Sequence, residues 1–141
     1  MEPKPPNFHS GIDQLRVVAV YGFFFCVLAF VCRLLSHLIP GMGGANAIRV
    51  VYFVECSILL PLGWKYQTAG PFITLSGLAF LFDPIVPVRI GNWAVWQCLN
   101  FLSLICIGVC GLMIENKRKR IKEPFDLAHK EWVMSLPDRE E

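Results

Sequence analysis

Glu55 is the residue that most needs a chemical explanation, because it is a lone carboxylate inside the apolar run 47–64. An ionised carboxylate at hydrocarbon depth costs at least about 2.5 kcal/mol unless it is paired or faces water. Two chemistries fit it. It is a proton or cation site, or it is a structural group, protonated or paired with Arg33 or His37 of the preceding apolar run, that locks two helices together. No second acidic residue stands at similar depth, which favours the structural reading.

Further along the chain, Trp93, Gln97 and Asn100 recur at i, i+4, i+7, with Ser103, Cys106 and Cys110 on a neighbouring strip. In lipid there is little hydrophobic drive between helices, so polar and small residues supply close approach and hydrogen bonds across a helix pair. Gly70, Thr74 and Gly77 give the third apolar run a similar small face, which makes the third and fourth runs expected neighbours. Cys106 and Cys110 share a helix face and admit a metal or redox pair. Every one of the six cysteines lies in an apolar run, however, where a thiol packs as a small hydrophobe.

Asp83-Pro84-Ile85-Val86-Pro87-Val88 cannot continue a regular helix, because two prolines stand three apart. Asp83 before Pro84 is placed to accept backbone N–H groups and cap a turn that the prolines stiffen. The functional alternative is a broken-helix ion site of the transporter kind, but transporters generally pair such breaks in matched repeats and no internal repeat is visible. Lys117, Arg118, Lys119, Arg120 and Lys122 form a basic cluster that suits anionic lipid headgroups. The same cluster serves as a topology signal with no lipid specificity. There is no HExxH, GxSxG, CxxC or phosphate loop, and only His37 among the histidines is near an apolar run, so no catalytic, metal or cofactor site is expected.

The elements that must position these residues follow from the distribution of charge. The 141 residues are 55% hydrophobic, and of thirteen basic and eleven acidic side chains only Arg33, Arg49, Glu55, Lys65, Asp83 and Arg89 fall between residues 17 and 114. This layout describes short membrane spans joined by tight turns, and it excludes a disordered chain, a disulfide-stapled secreted module and, with a net charge of +2, a nucleic-acid binder. A span needs about 20 apolar residues. Four segments approach that: 17–38, 47–64, 70–82 and 93–114, the third being short. Pro40-Gly41-Met42-Gly43-Gly44 separates the first two, and Trp64, Lys65 and Tyr66 suit a headgroup layer. Arg16 precedes a long apolar run with no small-x-small cleavage site, so the first span is expected to be retained rather than removed as a targeting peptide.

Basic residues flanking spans stay on the cytoplasmic side. The cluster behind the fourth span therefore predicts a cytoplasmic tail (115–141) and, with four crossings, a cytoplasmic N-terminal segment (1–16). Beyond Pro124, Phe125, Ala128, Trp132, Val133 and Leu136 form one stripe, which predicts either a short interfacial helix on the inner membrane surface or a frayed tail with hydrophobic anchors.

Phe82-Asp83-Pro84-Ile85-Val86-Pro87 followed by Trp93, together with Leu59-Leu60-Pro61-Leu62-Gly63-Trp64, resembles a family of small bacterial integral membrane proteins of unassigned activity. In that family a Phe-Asn/Asp-Pro-x-x-Pro turn joins two late spans and a tryptophan leads into the last. The likeness covers residues 50–110 and implies a four-span fold without supplying an activity. This chain departs from the pattern in carrying Gln97 where the family often has an acidic residue, and in its longer basic tail.

The expectation is thus an all-α, polytopic inner-membrane protein, a small bundle of four transmembrane helices with both termini cytoplasmic. Its expected role is non-enzymatic, as a structural or accessory subunit in contact with lipid and packed against itself or a larger membrane protein. The competing expectation is a small oligomeric transporter or ion-conducting protein using Glu55 and Asp83.

Overall fold

The computed structural model describes residues 11–36, 38, 45–85 and 91–135. His37, the Pro40–Gly44 turn, Pro87 and Leu136 lie outside the described residues, as does residue stretch 1–10. The described chain is all-α and forms four helices: α1 (Gly11–Leu35), α2 (Ala45–Lys65), α3 (Ala69–Leu81) and α4 (Trp93–Ser135). Three of them, α1, α2 and α4, are long and apolar enough to cross a membrane.

Helix α2 is central and packs against each of the other three. Its buried positions Ile48, Tyr52, Glu55, Leu59 and Leu62 recur at alternating spacings of three and four, one inward-facing stripe of the helix. Helix α1 meets this seam with small side chains. Gly22 lies on Glu55, and Cys26 places its Sγ 3.9 Å from the carbonyl of Val51. The opposite side of α1 leaves Val17, Tyr21, Phe24, Phe25 and Leu28 exposed, as α4 leaves Phe101, Leu102, Val109 and Leu112. Large apolar residues thus cover the outside as well as the core, and the buried polar residues Glu55, Gln97, Asn100 and Ser103 lie within, unlike the polar exterior of a water-soluble bundle.

Local chemistry sets the helix ends. Asn92 Oδ1 accepts the N–H groups of Ala94 and Val95 at 3.0 and 3.4 Å and starts α4. The α2–α3 turn is closed by Thr68, whose N–H and Oγ1 both donate to the carbonyl of Gly63, and Gln67 between them takes a left-handed φ of 52°.

Helix α3 has 13 residues, about 20 Å at 1.5 Å per residue, against a hydrocarbon layer of about 30 Å. It nonetheless links the two ends of the bundle. Thr68 and Phe72 at its start lie beside Gly63, which also faces Ile114. Phe82 at its close packs edge-on against Tyr52, with 4.9 Å between ring centroids, and lies 6.1 Å from Trp96.

Two expectations need correction here. The small face of α3 does not meet α4: Gly70, Thr74 and Gly77 are exposed, and α3 packs instead through Pro71, Leu75 and Phe82. Nor is the stretch behind the fourth span a separate short helix or a frayed tail up to residue 135, because α4 runs unbroken for 43 residues with Pro124 inside it. A proline frees one carbonyl a turn earlier, here that of Arg120, and in this exposed stretch water can bond it.

Arg16 Nε lies 2.9 Å from Glu115 Oε2, so the beginning of α1 and the end of the apolar part of α4 stand at one end of the bundle. Reversing one charge, Arg16→Glu, should lower stability in mixed micelles by about 1 kcal/mol or less, because both side chains are partly exposed. The double reversal with Glu115→Arg should restore it only in part, because Arg118 also pairs with Glu115 at 3.3 Å, as a denaturation midpoint would read.

Candidate functional site

Glu55 is 2% exposed and sits at the middle of the α1–α2 seam. The absent side chain of Gly22 makes room for it: a Cβ at that position would fall on Glu55 Oε2. That oxygen is buried and makes no hydrogen bond, and among the described residues no ion pair involves Glu55. The pairing with Arg33 is therefore not made. Arg33 lies eleven residues beyond Gly22 on α1, about 16 Å along the helix axis. Arg33 is half-buried, and its Nε makes no hydrogen bond. His37 lies outside the described residues.

A cavity of about 390 Å³ opens between α1, α2 and α4 and reaches Glu55. Its walls include Phe23, Leu59, Ile107, Gly108 and Gly111, and the Arg16–Glu115 pair stands at the other end. Gly108 and Gly111 keep the α4 wall low: an added Cβ at Gly111 would meet nothing within 4 Å, and one at Gly108 would touch only the ring of Phe23. A second groove, about 320 Å³, reaches Glu55 from the far side of the α1–α2 seam beside Val18, Gly22 and Val54. The carboxyl thus lies at the junction of two apolar grooves.

The polar strip of α4 is turned inward. Gln97, Asn100 and Ser103 are all buried. Asn100 Nδ2 donates to Gln97 Oε1 at 3.4 Å, the Tyr52 hydroxyl donates to the carbonyl of Asn100 at 3.3 Å, and Ser103 Oγ donates to the carbonyl of Leu99 at 2.7 Å. Gln97 Nε2 and Asn100 Oδ1 are left without a hydrogen bond. Bonds across the α2–α4 contact therefore come from Tyr52, a residue whose polar tip the spacing argument passes over.

At the end of the bundle opposite Arg16, the guanidinium of Arg49 lies 4.8 Å from the Trp96 ring centroid, so Arg49 is held by an aromatic face there. Asp83 Oδ1 accepts the N–H of Ile85 at 2.8 Å and closes an Asx turn, with Pro84 exposed beside it. In the basic cluster, Lys117, Lys119 and Arg120 are exposed, whereas Arg118 turns back to Glu115 at 3.3 Å and Lys122 reaches Asp126 at 3.8 Å. Tyr66, expected in a headgroup layer, is buried under Lys65, whose Nζ lies 5.2 Å from the ring centroid. Trp64 is exposed.

Sequence reasoning singles out Glu55 but misses Gly22 and the Arg16–Glu115 pair. A signal for the first exists: Gly22 is a lone glycine among Tyr21, Phe23, Phe24 and Phe25, and a glycine inside an apolar helix marks a place where something approaches closely. No family model matches the chain, and neither the curated proteins nor the solved structures contain a match.

Proposed function

We propose that the chain is a non-enzymatic integral membrane subunit that crosses the inner (plasma) membrane four times and packs against a further transmembrane helix through the outer face of α3. Three helices of spanning length and composition support the membrane reading, and the Arg16–Glu115 contact supports an even number of crossings. In this reading α3 and the Asp83–Pro84 turn make the third crossing together. The basic residues behind Ile114 put residues 1–16 and 115–141 on the cytoplasmic side, with exposed Lys117, Lys119 and Arg120 at the anionic headgroups.

The observation that carries the subunit role is the uncovered small face of α3. Gly70, Thr74 and Gly77 are exposed, and a Cβ at Gly70 or Gly77 would meet nothing within 4 Å. Small residues in lipid let two backbones come close, which is how transmembrane helices associate when no water drives them together. The partner is a second copy or a larger membrane protein. Gly77→Leu adds bulk in open space, so the monomer should fold as before while assembly is lost. Single-molecule photobleaching in a native-lipid bilayer, with affinity capture for a second protein, reads both. A parent chain that is monomeric and captures nothing would overturn the subunit role.

The unbonded oxygen of Glu55 favours one second reading, a small oligomeric conductor of protons or cations. Asp83 is committed to the Ile85 N–H, so that reading rests on Glu55 alone.

A further inference from the structure

We infer that the groove between α1, α2 and α4 is a binding site for a membrane-dissolved amphiphilic amine, whose N–H groups the Glu55 carboxyl receives. The inference shares with the proposed function only the requirement that the bundle lies in lipid.

Three independent features meet in this groove. The first is the carboxyl itself, almost fully buried, with Oε2 making no hydrogen bond and no described cation paired to it. A buried carboxyl oxygen with no hydrogen bond is costly, so a donor brought in from outside the chain is favoured there. The second is the space: about 390 Å³ of apolar-walled cavity reaches that carboxyl, kept open on α4 by Gly108 and Gly111. The third is its length. Gly108, at the Glu55 end, and Glu115, at the other, are seven residues apart on α4, about 10 Å.

These features select the ligand's chemistry. Walls of Phe23, Leu59 and Ile107 take an aliphatic body. A carboxyl at one end takes an N–H or O–H donor, and an ammonium also neutralises it, which a hydroxyl cannot do. An anionic head at that end would be repelled. Arg16 does not compete as the missing cation, because it is already 2.9 Å from Glu115.

The experiment uses the full chain in nanodiscs of phosphatidylcholine and phosphatidylglycerol, with dicyclohexylcarbodiimide as a lipid-soluble probe. The acid O–H adds across one C=N bond of the carbodiimide, and acyl migration from oxygen to nitrogen leaves a stable N-acylurea that peptide mass spectrometry locates. Labelling is expected at Glu55, to disappear in Glu55→Gln, and to slow about tenfold with N,N-dimethyldodecylamine, whose tertiary nitrogen cannot form an amide with the activated acid, present at roughly ten times its dissociation constant. Dodecane, the same body without the donor, should give little protection. Gly111→Leu fills the groove from open space and should abolish protection by the amine without loss of fold, as circular dichroism checks. Equal protection by dodecane, no labelling of Glu55, or undiminished protection in Gly111→Leu would each overturn the inference. A chain that does not enter the discs would overturn the membrane reading as well, which separates the two failures.

Discussion

Gly22→Leu should be among the most damaging single changes in this protein, costing about 1–3 kcal/mol or more in a reversible SDS titration from mixed micelles. The reason is geometric. Any Cβ at position 22 falls on Glu55 Oε2 and within 3.0 Å of the carboxyl carbon, so either the carboxyl leaves the seam or α1 moves off α2. The carboxyl is the end of a flexible side chain beside a groove and can swing aside for a methyl group, but the bulk of leucine also pushes α1 from α2, where Cys26, one turn further along α1, already touches Val51. Gly22→Ala should cost much less, since only the carboxyl has to turn aside. Combining Gly22→Ala with Glu55→Ala should recover most of the loss, since the second change removes the atoms with which the first collides. Two residues in direct contact couple in this way, whereas distant ones add. Gly77→Ala is the control: with nothing within 4 Å it should change stability little. A Gly22→Leu variant as stable as the parent would mean that Gly22 and Glu55 do not interlock.

Phe82→Ala should cost about 3 kcal/mol by the same titration, the low end of the range for aromatic truncation in cores, because lipid rather than water is the alternative surrounding. Phe82 is fully buried between Tyr52 and Trp96, and Tyr52 in turn donates to the carbonyl of Asn100. The ring therefore joins α3 to both α2 and α4 where the chain leaves α3 for the Asp83–Pro84 turn. Its loss opens a cavity at the one place that anchors the far end of the short helix. Phe80→Ala, two residues earlier and 72% exposed, should be nearly neutral. Equal effects at the two positions would show that α3 is rotated from the orientation described.

Much of the architecture is legible without coordinates. The apolar runs end where prolines, glycines and charges accumulate, and α1, α2 and α3 fall on three of them within a few residues. Burial of Gln97 and Asn100 follows from their common face and that of Ser103 from the strip beside it, because polar side chains on an otherwise apolar helix turn away from hydrocarbon, although Trp93 at the start of the first strip is exposed. Rotation about each axis is harder to read. Helix α3 offers two faces, one of Gly70, Thr74 and Gly77 and one of Pro71, Leu75 and Phe82, and single-chain patterning does not say which one the bundle keeps for itself. The bundle keeps the bulky face, which fills the space beside α2 and α4, and leaves the small one outside. Pro124 misleads for another reason. A proline is read as a helix stop, yet its cost is modest where the freed carbonyl meets water, so the exposed part of α4 continues through it.

By itself, the amino-acid sequence determined an all-α chain with three runs able to cross a bilayer, a short fourth run beside a proline turn, a basic stretch behind the last run, and one carboxylate out of place among apolar residues. These properties depend on residue type and spacing along a single helix. Tertiary structure alone decided that Glu55 meets Gly22 rather than Arg33, that Arg16 meets Glu115, and that a groove walled by α1, α2 and α4 reaches the Glu55 side chain. The physical reason is that a helix apolar on every side carries no directional preference of its own. Its facing residues are chosen by which small side chains on one rod accept the large ones of the next, and that choice exists only once the rods are packed.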